Sequence, residues 1–404
     1  MVEQNVSIEA MEAKFFHIDV NSAFLSWSAI KLLEEGAEVD IRTVPSIVGG
    51  DQEKRHGIVT AKSIPAKKYG IETAEPVAQA MKKCPGLVVV PPDFTFYRKK
   101  SGEMMDYLRE VCPALEQASI DECYLDYASI AKNYKSPMDA AITFKETIKN
   151  RYGFTVNVGI SDVKVLAKMA SDFTKPDRIH TLYSDEIKEK MWPLPVGDLY
   201  MCGKAAAARL RSMGIMTIGD LAQSDPDFIR SLLKSQGSML WGFANGRDNS
   251  VVHPVREKVK GVGNSTTLPK DIADAGAAKR VLKELCQSVS GRLKKGQFKA
   301  GSICVEIKYA DFKSYSHQKP IYLATAEMAD LYREACLLFD EFWNGEPIRL
   351  LGVRTTKLID VDQPQQLDIF SFMEQKEKND KREAADAAME TLKARFGDVI
   401  KKGD

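Results

Sequence analysis

No stretch of the 404 residues is apolar for long enough to cross a membrane, and none of the seven cysteines (84, 112, 123, 202, 286, 304, 336) stands in a Cys-x-x-Cys pair. With only five scattered histidines, neither a zinc site nor a disulfide framework is indicated, and reduced thiols in a cytoplasmic protein are expected. Met1 to Lys14 is polar and acidic, without the apolar core of a signal peptide. Net charge is scant too: 57 basic against 56 acidic residues leaves +1, so no overall field announces a polyanionic partner. Its distribution is uneven. From Gly291 to Pro320 the basic residues Arg292, Lys294, Lys295, Lys299, Lys308, Lys313 and Lys319 face only Glu306 and Asp311, a candidate phosphate-facing patch.

What is present is enough apolar material for more than one core. At this length about two to four domains are expected. Strands and helices alternate through roughly the first 175 residues: FFHIDV (Phe15 to Val20) reads as a buried strand and Ser22 to Glu35 as a helix, with Asn21 or Ser22 as its cap. Further strands are predicted at Arg42 to Val48, Gly57 to Ala61, Leu87 to Val90, Leu115 to Ala118, Cys123 to Tyr127 and Thr155 to Ile160, with a turn at Gly49-Gly50-Asp51. Helices are predicted at Asp93 to Val111, Met138 to Arg151 and Val163 to Phe173. That alternation predicts an α/β layer with mixed strand pairing. Ser184 to Gly246 reads as a small all-helical unit, Arg247 to Gly261 as a linker, and Ser265 to Asp362 as a separate α/β domain with strands at Ser302 to Tyr309 and Ile348 to Leu358.

Three carboxylates draw attention. Asp19 sits inside an apolar strand, where an unpaired charge would cost several kcal/mol; helix capping is its bland alternative. Asp121 and Glu122 are adjacent and repel unless a cation or proton lies between them. In a regular strand they point to opposite faces, so they serve one centre only where the chain turns, as the break between two predicted strands permits; an exposed acidic hairpin tip is the alternative. Carboxylates on neighbouring strands suit two-metal phosphoryl transfer, with magnesium ions roughly 3.5 to 4 Å apart.

The strings HIDVNSAFLSW (His17 to Trp27), SIDECYLDY (Ser119 to Tyr127) and NVGISDVKVLAKMASDFTKP (Asn157 to Pro176) resemble, in order, the signature segments of Y-family translesion DNA polymerases. The likeness runs from about Phe15 to Phe370, nearest the DNA polymerase IV branch, with the UmuC-like branch second. It implies an α/β (α+β) multidomain chain. The palm, with a mixed sheet, spans 1–23 and 77–176, with small fingers at 24–76. An all-helical thumb at 177–246 contains a helix-hairpin-helix, and a linker at 247–261 leads to a DNA-binding little finger at 262–362. The tail occupies 363–404. By the same resemblance Asp19, Asp121, Glu122 and the carbonyl of Val20 hold two Mg2+. Phe24, also readable as a helix core residue, is a steric gate against ribose, and Lys175 binds triphosphate together with the amides of Ser22 and Ala23.

The chain departs from the family pattern where Ile64 and Lys67 replace a tyrosine and an arginine that contact triphosphate; Lys67 keeps the charge without the bidentate fork. In MCGKAAAARLRSMGIMTIGDLA, Met201 replaces the first turn glycine of a helix-hairpin-helix, while Gly203, Lys204 and Gly214 remain to approach DNA phosphates. Gln366-Leu367-Asp368-Ile369-Phe370 resembles the pentapeptide that binds the bacterial sliding clamp, the β subunit. The implied activity is error-prone, template-directed addition of a dNTP to the primer 3′-hydroxyl of primer-template DNA, by a monomer without proofreading. A nucleotidyl cyclase-like palm enzyme and an inactive, clamp-recruited DNA-binding scaffold are the rivals.

Overall fold

The computed structural model describes residues 13–50, 57–255 and 258–364. The chain divides between residues 257 and 258 into two units, inside the segment expected to be a linker.

In the first unit β1 (Phe15–Val20) leads into α1 (Ala23–Glu34). The sequence continues through β2 (Ser46–Gly49), β3 (Val59–Lys62), α2 (Ile64–Lys67), α3 (Val77–Lys83), β4 (Val88–Val90), α4 (Phe94–Val111), β5 (Leu115–Gln117), β6 (Glu122–Asp126), α5 (Pro137–Tyr152), β7 (Val156–Ser161), α6 (Lys164–Ser171) and β8 (Ile179–Thr181). Two sheets result. A five-stranded sheet has the order β5-β6-β1-β7-β8, antiparallel except for β7 with β8; a small sheet has the order β3-β2-β4, with β2 and β4 parallel. The mixed pairing predicted from the alternating pattern is present.

Period-two alternation decides what β1 shows to each side. Phe16, Ile18 and Val20 enter a large core with Tyr97 and Met104 of α4 and Phe144 of α5. The alternate residues His17 and Asp19 therefore point to the face that α6 covers. α6 is buried on all sides because it packs on β1 and β7 while Val165, Leu166 and Met169 join the next core. Its close approach needs Gly159 on β7, where an added Cβ would lie 1.9 Å from the Ala167 carbonyl oxygen.

The small sheet has its own core of Ile47, Val59, Ala66, Ile71, Val77, Ala80, Cys84 and Leu87, which runs past the boundary expected at residue 76. Gly49 closes β2, which pairs antiparallel with β3, and Asp51 of the expected turn lies outside the described residues. The segment after β8 is helical as predicted: α7 (Ile187–Lys190), α8 (Lys204–Arg211), α9 (Ile218–Gln223) and α10 (Pro226–Ala244). A reciprocal capping box between Thr217 and Asp220 starts α9.

The second unit contains β9 (Gly261–Ile272), α11 (Ala275–Lys295), β10 (Phe298–Tyr309), β11 (Ser314–Thr325), α12 (Met328–Phe342) and β12 (Ile348–Asp360). Its antiparallel sheet has the order β11-β10-β12-β9, with α11 and α12 packed on it around one core. β9 and β11 escaped the sequence reading. Both are edge strands with few buried residues, Val262 and Leu268 in β9 and Thr325 in β11, so they lack the apolar alternation that marks a half-buried strand.

Candidate active site

The site begins with strand register. Asp19 of β1 lies directly opposite Glu122 of β6 on one side and Asn157 of β7 on the other. Directly paired residues share a face at about 5 Å between Cα atoms, so Asp19 and Glu122 are neighbours under α6. Asp121 precedes the strand, in a bend that Ser119 stabilises: its hydroxyl accepts from the Asp121 and Glu122 amides (3.2 and 3.1 Å) and donates to Asp121 Oδ1 (2.6 Å). The turn needed between adjacent acids is therefore present. Val20 donates its amide to the Asp121 carbonyl (3.0 Å), while the Asp121 amide goes to Ser119 instead of back to Val20.

Two lysines neutralise two of the acids. Lys168 Nζ lies 2.9 Å from Glu122 Oε2; Lys175 pairs with Asp19 and, at 2.9 Å, with Asp172. His17 and Lys168 hold the Glu122 carboxyl down to about 2 against the opposing effect of burial. His17 Nε2, 3.4 Å from Glu122, makes no hydrogen bond of normal geometry, and burial lowers its own pKa, so Lys168 is the lasting cationic partner. Burial also opposes charge on Lys168, but Glu122 and Asp172 outweigh it and raise that pKa.

Asp121 differs. Burial, together with the charges of Asp19 and Glu122, pushes its carboxyl up, and among the described residues no ion pair engages it. Because Asp172 shares both lysines, four carboxylates face two lysines here, and the donors are hard oxygens, a fit for a hard divalent cation. Among the described residues no three His, Cys, Asp or Glu close into a ready-made metal cluster, because Asp19 and Glu122 turn to their lysines.

Ser22 occupies the N-cap of α1 with left-handed backbone (φ 47°) and no side-chain cap bond. The first turn of α1 has no acidic residue, so its amide end carries uncompensated positive character. Asn21 does not cap either. Its side chain donates to Asn157 Oδ1 (3.0 Å) and accepts from Thr155 Oγ1 and the Asp177 amide (both 2.9 Å). Asn157 in turn donates to the carbonyls of Ser171 (3.1 Å) and Thr174 (2.8 Å), so two buried asparagines pin the loop that carries Lys175. Phe24 is half-buried and stacks on Tyr97 (centroids 4.9 Å apart, planes 11° apart).

The sequence reading passed over His17, Asn157 and Lys168. Their signal was present: polar residues at alternate positions of apolar strands, and lysines four apart, Lys164 and Lys168, in an otherwise apolar helix.

Other expected residues lie elsewhere. Lys67 is exposed at the end of α2, and Ile64 is 55% exposed at its start. Gly203 is the N-cap of α8, Lys204 its first residue, and Gly214 lies beyond its end at φ 83°. Met201 has φ 66°, a left-handed conformation that favours the glycine it replaces.

In the second unit the basic patch is divided. Arg292, Lys294 and Lys295 end α11, whereas Lys299 and Lys308 lie on β10 and Lys319 on β11. Lys294, Lys313 and Lys319 are ion-paired to Glu327, Asp311 and Glu334, and Arg292 and Lys299 donate to the carbonyls of Gly263 and Val361. A separate concavity of about 610 Å3 on this unit is lined by Asn264, Glu306, Ser316 and Arg354. Gln366 to Phe370 lie outside the described residues.

Residues 18–172 match the impB/mucB/samB family and residues 259–369 its C-terminal domain. The chain is 46% identical to DNA polymerase IV of Clostridium acetobutylicum over 391 residues, covering 96% of this chain and 97% of that protein. It is 36% identical to DNA polymerase IV 1 of Bacillus subtilis over 391 residues, covering 96% and 92%. Among solved structures a Y-family DNA polymerase chimera superposes with a TM-score of 0.76 at 22% identity, covering 86% of this chain and 99% of that one, a likeness of fold. With identity sustained over nearly the whole length of these relatives, the chain belongs to the Y family of DNA polymerases, in its DNA polymerase IV branch.

Proposed function

We propose that this chain performs template-directed, error-prone DNA synthesis through Asp19, Asp121 and Glu122. The observation that carries the reading is the β1–β6 register, which sets Asp19 against Glu122 beside an Asp121 that lacks a counter-charge. Asp19, Asp121, Glu122 and the carbonyl of Val20 would hold the metal. When bound there, a pair of magnesium ions supplies activation of the primer 3′-hydroxyl and charge neutralisation at the leaving phosphates.

The chain's own residues do the rest. Lys175, paired with Asp19 in the free protein, exchanges that carboxylate for triphosphate oxygens, and the Ser22 and Ala23 amides at the start of α1 receive others. Lys168 stays with Glu122 and keeps it ionised. Phe24 presents its ring where a ribose 2′-hydroxyl would sit, and Lys67 reaches the phosphates as a point charge. The palm, fingers and thumb fall within the first unit and the little finger is the second. Gly203, Lys204 and Gly214, with Arg292, Lys294, Lys295 and Lys299, meet DNA phosphates without reading sequence. Gln366, Leu367, Asp368, Ile369 and Phe370 dock on the sliding clamp.

Primer extension on a templated duplex, with and without Mg2+, tests the core of this reading. Asp121→Ala should lower extension by at least about a thousandfold while DNA affinity changes little. Retained extension would remove Asp121 from the site. Phe24→Ala should raise ribonucleotide insertion, and an unchanged ribo-to-deoxy ratio would remove the gate role. Deleting 366–370 should abolish stimulation by the clamp and leave unassisted extension intact.

A further inference from the structure

Phe24 does not stand alone. α4 begins with Phe94, directly after its N-cap Asp93, and Phe94 is 49% exposed. A helix's first residue gains little from the core, and a half-exposed phenylalanine there has a limited set of neighbours. Its ring partners are Phe24 (centroids 5.8 Å, planes at 90°) and Tyr97 (5.8 Å, 82°). Phe24 thus has Tyr97 stacked against one face and a perpendicular ring at Phe94. A stack by itself leaves a phenylalanine free to slide and tilt, because rotation about its second side-chain torsion is broad. A perpendicular neighbour removes that freedom.

The two helices that carry these rings are tied together. Lys31 of α1 reaches Asp93 Oδ2 at 2.7 Å, and the other Asp93 oxygen caps the Thr95 and Phe96 amides (3.1 and 3.0 Å). Ser28 of α1 and the Tyr97 hydroxyl meet at 2.6 Å. Phe94 is therefore held in fixed relation to Phe24 by polar contacts on both sides of the ring cluster.

We propose that Phe94 is a positioning residue for sugar selection: it fixes the plane of the Phe24 ring and so sharpens discrimination against ribonucleotides. The inference rests on reading Phe24 as the steric gate. Because Phe94 acts through Phe24, its effect disappears when Phe24 is gone.

Single-nucleotide insertion of a ribo- and a deoxynucleotide opposite the same undamaged base is compared for the wild type, Phe94→Ala, Phe24→Ala and the double variant. Phe94→Ala should raise the ribo-to-deoxy ratio about three- to tenfold. Phe94→Tyr, which keeps the ring, should restore the wild-type ratio. The double variant should match Phe24→Ala alone. A Phe24→Ala effect with none from Phe94→Ala overturns the inference and leaves the gate standing; no effect from Phe24→Ala overturns both. Multiplying effects in the double variant would also overturn it, since Phe94 would then act independently. Should Phe94→Ala not fold, Lys31→Met loosens the same helix pair and should move the ratio in the same direction; an unmoved ratio counts against the proposal.

Discussion

The two large sheets of this protein treat charge in opposite ways. In the five-stranded sheet, α6 lies over the face that carries His17 and Asp19, so Asp19, Lys164 and Lys168 are each under 10% exposed and every one is paired. In the four-stranded sheet, the helices cover an apolar face, and Lys295, Lys313 and Arg354 remain in water. Buried charges are strong and directional because little water screens them, which suits bond-making chemistry. Exposed charges are weak, adaptable and salt-sensitive, which suits gripping a phosphate backbone of any sequence. One chain supplies both by covering one polar face and leaving other cations at the surface.

The comparison is most easily broken at its glycines. Gly159→Ala drives a Cβ into the α6 backbone, 1.9 Å from the Ala167 oxygen and 2.6 Å from the Ser171 nitrogen. It should cost at least about 3 kcal/mol. Gly352→Ala, on the second sheet, meets only side chains, at 3.1 Å from Ser265 Cβ and 3.4 Å from Glu306 Cβ, and should cost about 1 kcal/mol or less. Thermal melting of the two variants checks this; equal losses would mean that α6 is not clamped on its sheet as described.

Acid should act chiefly on the first unit's paired carboxylates. Burial would raise the Asp177 pKa, but ion pairs with Lys145 and Lys149, both at 2.8 Å, win and hold it below 3.8. A depressed carboxyl stabilises the fold above its unfolded pKa and loses that contribution as pH falls from 3.8 toward the folded value. Asp177→Asn should therefore lower stability by at most about 1 kcal/mol at pH 7, with the difference vanishing at low pH. Denaturation curves at both pH values decide it.

The smallest effect sharpens the other side. Lys295, exposed in the last turn of α11, should contribute one phosphate contact. Lys295→Ala should reduce the slope of log affinity for DNA against log salt by about 0.9 and leave the turnover of bound substrate unaltered. A changed turnover with an unchanged slope would place Lys295 in the wrong role.

Much of this was legible beforehand. The buried strand FFHIDV, the helices at α4, α5 and α6, and the break before Glu122 follow from periodicity and turn chemistry, and they lie close to where they were predicted. The edge strands β9 and β11 were not legible, since strands with so few buried residues carry no period-two signal. Nor was the dispersal of the basic run, because residues close in sequence can sit on a helix end and on different strands.

What the sequence determined by itself was the inventory: which acids interrupt apolar strands, where helices begin and end, and which family the motifs belong to. These are local properties, written in spacing and side-chain chemistry. Only the tertiary structure decided who faces whom. Strand register sets Asp19 against Glu122, packing of α6 on Gly159 delivers Lys168, and two buried asparagines fix the loop of Lys175. Two of these pairings, Asp19 with Glu122 and Asn21 with Asn157, join residues more than a hundred positions apart, and a residue's own neighbours in sequence cannot specify them.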